Sequence, residues 1–74
     1  MLYVTTLNAR YVVDRESNYW MRESDSNPKY NDGEWISGGF TLGEVGEGCF
    51  AHYDKDPRGA LGRWTSRVVY VEEG

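Results

Sequence analysis

No stretch of this 74-residue chain keeps apolar residues at the three- and four-residue spacing that lets a helix bury one face. Short β-branched and aromatic runs recur instead, each ended by residues that favour turns. Leu2 to Leu7 (LYVTTL), Arg10 to Arg15 (RYVVDR) and Tyr19 to Glu23 (YWMRE) are the first three. The breaks between them, Asn8-Ala9 and Glu16-Ser17-Asn18, predict an antiparallel meander, although Asn-Ala is a weaker hairpin signal than Asn-Gly. Strand alternation places Tyr11 and Val13 on one face and Val12 on the other.

Ser24 to Gly33 (SDSNPKYNDG) is the longest polar stretch and reads as an exposed loop, with Pro28 lacking an amide donor and Asn31-Asp32-Gly33 suited to a tight turn. Glu34 to Leu42 (EWISGGFTL) restores apolar content, but Gly38-Gly39 interrupts it, which predicts a bulge, a sharp bend or two short pieces. A turn-rich link, Gly43 to Gly48, leads to a buried strand at Cys49 to Tyr53. A second loop follows at Asp54 to Gly62, where Asp56-Pro57-Arg58-Gly59 fits a type I turn. The final run, Arg63 to Glu73, ends in Val68-Val69-Tyr70-Val71, the strongest strand signal in the chain. A single helical turn around Thr65-Ser66-Arg67 is the only helix this pattern leaves room for.

This length suits one small domain, residues 1–74, and no second core. With 39% hydrophobic and 15% aromatic residues the chain has enough apolar surface to fold, which excludes a disordered reading. The expectation is an all-β domain: a small, strongly bent antiparallel barrel of five or six strands, because closure removes the sheet edges that otherwise aggregate. An SH3-like barrel is the first choice, and an open meander sheet that buries one face by dimerising is the second. Neither a bilayer-spanning run nor a secretory leader is expected.

The residue inventory offers little chemistry. Cys49 is the single cysteine, so no internal disulfide and no cysteine-based zinc site can form. His52 lies three residues from Cys49, and positions three apart on a strand face opposite ways, so the two do not form a nucleophile–base pair. Asp25, Asn27, Asn31, Asp32 and Glu34 gather oxygen atoms in one loop. Counted from Asp25, however, the sixth position is Tyr30 rather than the glycine of a calcium loop, so a solvated turn is preferred. The glycines from Gly43 to Gly48 lack the lysine and following helix of a phosphate cradle, and Glu44 and Glu47 repel phosphate. The expectation is therefore a protein that is not an enzyme, with no cofactor and no metal.

The aromatic residues carry more. Trp20, Trp35 and Trp64 join six tyrosines and two phenylalanines, more ring surface than so small a core holds. Trp20, Trp35 and Trp64 are accordingly expected to supply an interface for a partner protein or a second copy of the chain. The formal charge of −4 lacks the basic face of a nucleic-acid binder, so stacking on single strands ranks third. The acidic residues are scattered among basic ones, unlike a mimic of DNA.

Four segments, Leu2-Tyr3-Val4-Thr5-Thr6, Asp32-Gly33-Glu34-Trp35, Val45-Gly46-Glu47-Gly48 and Trp64-Thr65-Ser66-Arg67-Val68-Val69-Tyr70-Val71-Glu72, taken in this order, resemble small accessory proteins encoded by bacteriophages of actinobacteria. The closing motif in that group commonly carries proline where this chain has Arg67. The resemblance implies a protein acting in the cytoplasm of the bacterial host, and it carries over no catalytic residue. Together these readings predict a non-enzymatic module that binds a host or phage protein, or itself. A small structural or assembly protein of the virion is the alternative.

Overall fold

The computed structural model describes residues 1–24, 27–29, 31–56 and 58–74. Among them the regular structure is all β. Seven strands are formed: β1 (Leu2–Thr6), β2 (Arg10–Asp14), β3 (Tyr19–Glu23), β4 (Ile36–Ser37), β5 (Phe40–Thr41), β6 (Gly48–His52) and β7 (Gly62–Glu73). They lie in one antiparallel sheet in the order β4-β3-β2-β1-β7-β6-β5, curled strongly into a half-barrel. Among the described residues, no helix is long and apolar enough to cross a membrane.

The strand count exceeds the expected five or six because the Glu34–Leu42 run divides at Gly38-Gly39. The two pieces become the opposite edges of the sheet, so β4 pairs with β3 while β5 pairs with β6. Gly38 N–H donates to Asn18 O (2.9 Å), His52 N–H to Gly39 O (2.9 Å) and Asp54 N–H to Ser37 O (2.9 Å), tying this segment to both sides. A side chain at Gly38 would collide with the His52 carbonyl oxygen, so the crossing requires glycine.

Trp20, fully buried, occupies the centre of the core. Its indole Nε1–H donates to that same His52 carbonyl at 2.8 Å, joining β3 to the end of β6. Tyr53 stacks on it at 5.9 Å between centroids, and Tyr11 (6.0 Å) and Phe40 (6.4 Å) meet it at an angle. The expectation that Trp20 helps to form an interface is thereby corrected. Position 20 shares the inward parity of Arg22, and its ring is enclosed by rings from β2, β5 and the segment that follows β6. The Arg63 guanidinium lies 5.6 Å from the Trp20 ring centroid, and its Nε and Nη2 are buried without a hydrogen-bond partner.

The alternation expected in β2 places Tyr11 and Val13 in the core cluster, but Val12 is buried too. Its cross-strand partners on the outer face are Tyr3 and Met21, both half-buried. The helical turn expected at Thr65–Arg67, on which the SH3-like choice leaned, is strand. Strand β7 runs through it, pairing with β6 up to Arg67 and with β1 from Val68 onward. The change of partner falls beside register shifts at Gly48/Phe50 and Thr5/Thr6, where local irregularity bends the strand.

The Asn8-Ala9 turn needs no glycine because Thr6 closes it. Thr6 N–H and Oγ1–H both donate to Ala9 O (2.8 and 2.9 Å), and Thr6 Oγ1 accepts from Ala9 N–H (3.2 Å). Arg22 of β3 anchors Asn27 and Asp32 of the polar segment that follows it. Arg22 is buried, and its Nη1 donates to both oxygens of Asp32 (2.9 and 2.7 Å) while Nη2 donates to Asn27 O (3.0 Å). Asp32 Oδ2 also accepts from Lys29 N–H at 3.0 Å. Burial pushes the Asp32 carboxyl up, but the Lys29 amide and the Arg22 guanidinium outweigh it and hold the group below its ordinary value.

Two outcomes are expected. Trp20→Ala lowers unfolding free energy in urea by about 3–5 kcal/mol, through cavity formation and the loss of the seam bond. Asp32→Asn costs about 3 kcal/mol at neutral pH, because it leaves the buried Arg22 without its counter-charge. A carboxyl depressed in the folded state contributes stability above its unfolded pKa and loses it as pH falls through the folded value. The gap between Asp32→Asn and the parent chain therefore narrows in acid titrations of stability as pH falls below the ordinary carboxylate range, through the lowered folded value.

Candidate functional site

Parity decides which rings reach solvent. On β6, Cys49 and Ala51 point inward, which turns Phe50 and His52 outward; on β7, Thr65 is inward and Trp64 outward. Phe50 pairs directly with Trp64 across the two strands, and Thr41 pairs with Phe50 from β5. The Phe50 ring stands edge-on to Trp64 at 5.0 Å between centroids and 70° between planes. It also stands edge-on to His52 at 4.8 Å and 77°. His52 Nε2 lies 2.8 Å from Thr41 Oγ1, which completes an outer-face row Trp64, Phe50, His52, Thr41.

Gly62 makes this row possible. It sits opposite His52, and a Cβ there would approach Phe50 Cε2 to 2.6 Å, so the Phe50 ring occupies the space over the bare backbone. Trp64 has Phe50 on one side and is otherwise open, with 73% of its surface exposed. Leu61, 81% exposed, precedes β7. A large apolar ring held by a two-strand ladder offers contact area with little side-chain entropy left to lose, which is the physical profile of an interface anchor.

Trp35 belongs to a second patch. At 44% exposure it lines, with Met1, Tyr19, Asp14 and Ser17, a shallow groove of about 440 Å³. No residue of this groove is shared with the Trp64 row. The three tryptophans expected to act together are thus distributed among the core, the groove and the outer face.

Cys49 is buried and accepts a hydrogen bond from Gly43 N–H at 3.2 Å, while His52 lies on the opposite face, as their spacing predicts. Asp32 is engaged by Arg22 and the Lys29 amide, and Asp25 and Tyr30 lie outside the described residues. Among the described residues, no three histidine, cysteine or acidic side chains come together as a metal site. Pro57 also lies outside the described residues, and Gly59 N–H donates to Asp56 O at 2.8 Å across that position. A polar recess of about 580 Å³ borders the seam, lined in part by Asn18, Gly38, Gly39, His52 and Asp54, with Ser37 Oγ donating to Asp54 Oδ2 at 2.7 Å.

The Phe50–Trp64 pair was open to sequence reasoning only if the register of β6 against β7 were known. The strands are separated by a loop whose length does not set that register. Trp64→Ser is expected to change unfolding free energy by less than about 1 kcal/mol, since the ring buries little surface, in contrast to Trp20→Ala; urea titration of the two variants checks this. Compared with known proteins, the chain matches no family model, no curated protein and no solved structure.

Proposed function

We propose that this protein is a non-enzymatic binding module, an accessory protein of a bacteriophage that grips a host or phage protein in the bacterial cytoplasm. The observation that supports it most is the exposed Trp64 ring, positioned against Phe50 on the outer face of β6 and β7. A solvent-facing tryptophan that contributes little to its own fold is more naturally explained as a contact for another molecule. The Trp35 groove offers a second, smaller contact. The phage assignment rests on the four ordered segments described above, and the mildly acidic charge favours a protein partner over a nucleic acid.

The test compares the parent chain with Trp64→Ser as bait in lysate from phage-infected actinobacteria, alongside sedimentation at several concentrations. The expected result is a protein retained by the parent chain and lost with Trp64→Ser. Identical recovery by both baits overturns the role of this face. A stable oligomer of the chain alone, dissociated by Trp64→Ser, would instead support self-association as a virion or assembly component.

A further inference from the structure

Strand β7 is longer than either of its neighbours, and its second half has β1 on one side and an open edge on the other. Its second half pairs with β1, and the hydrogen-bonding parity follows from the chain ends. Met1 N donates to Gly74 O (2.9 Å) and Gly74 N–H to Met1 O (3.0 Å). Continuing the antiparallel ladder from that pair, Tyr3 with Glu72 and Thr5 with Tyr70 exchange hydrogen bonds, whereas Leu2 with Glu73 and Val4 with Val71 do not. The backbone N–H and C=O of Val71 and Glu73 therefore point away from β1.

On that far side β6 has already departed. Its first residue, Gly48, pairs with Arg67, and the preceding turn bonds only as far as Val68: Gly46 N–H donates to Val68 O and Val68 N–H to Glu47 O, both at 2.8 Å. Among the described residues, nothing pairs with the outward groups of Val71 and Glu73. Val69, Tyr70 and Val45 are exposed around this edge, so it presents unpaired backbone beside apolar side chains.

Charge selects the occupant. Glu72 and Glu73 lie on the edge itself, and Glu44 and Glu47 are exposed on the turn that borders it. The nearby cations are Arg67, where this half begins, Arg10, held over the Tyr3 ring at 4.6 Å, and the Met1 amino group, already engaged with Gly74 O on the β1 side. Two copies meeting edge to edge with Val71 opposite Glu73 would set Glu72 directly against its own counterpart, which like-charge repulsion opposes. A basic strand meets no such penalty. We propose that the Val69–Glu73 half of β7 accepts, by strand addition, an extended lysine- or arginine-bearing segment of a partner protein.

This edge is distinct from the Trp64 row, and its test reads it separately. The probe is a capped peptide alternating lysine and valine over six residues, added to isotopically labelled protein and followed by amide hydrogen exchange. In the free protein the Val71 and Glu73 amides should exchange rapidly and those of Tyr70 and Glu72 slowly. The peptide should slow Val71 and Glu73 by about tenfold or more while leaving Tyr70 and Glu72 unchanged. Paired Glu72→Lys and Glu73→Lys substitutions should weaken binding by about tenfold, and Trp64→Ser should leave it unchanged. Methylating every backbone nitrogen of the peptide should abolish binding although its charge is preserved. The proposal is overturned by slow exchange at Val71 and Glu73 in the free monomer. It is also overturned by concentration-dependent protection without peptide, by equal binding of a glutamate–valine peptide, or by no binding at millimolar peptide.

Discussion

The fold depends on one carbonyl group. His52 O receives the indole N–H of Trp20 at 2.8 Å, and the Gly38 backbone packs against the same oxygen. Trp20 belongs to β3 and His52 to β6, strands separated by three others in the order of the sheet. Their meeting is what curling means here: the indole spans the core and satisfies a backbone acceptor at the opposite side of the seam. A buried tryptophan whose N–H lacked a partner would weaken such a small core, so the ring's packing and its polar end are solved together.

The packing of Tyr53, Tyr11 and Phe40 around Trp20 accounts for much of the aromatic content and leaves a smaller surplus outside. That surplus is placed by strand parity. Where β6 and β7 pair, the buried inward positions are filled by small or polar groups, Cys49, Ala51 and Thr65, while Phe50 and Trp64 meet on the outer face. Gly62 adds the room for Phe50 to lie beside its neighbours. The functional proposal therefore follows from a division of labour among rings: one set closes the fold, and another is held outside it by the same ladder.

Polar side chains complete the architecture where turn residues alone are insufficient. Thr6 closes the first hairpin, and Arg22 draws Asn27 and Asp32 against β3. Arg22 follows the inward parity of Trp20, yet a charged residue in a strand ordinarily suggests a solvent-facing position. Its burial becomes intelligible only when the chain returns with a carboxylate ten residues later.

The all-β class, the meander of β1 to β3, the interruption at Gly38-Gly39 and the opposite facing of Cys49 and His52 were legible in the residue pattern, because strand period and turn chemistry are local. The strand status of Thr65–Arg67, the partition of the three tryptophans and the open half of β7 were settled by tertiary structure. Each depends on pairing between segments distant in the chain, where one residue of register exchanges the inner and outer faces. Local preference makes Trp20 and Trp64 equally good strand residues; the neighbours that arrive from elsewhere determine which one water reaches.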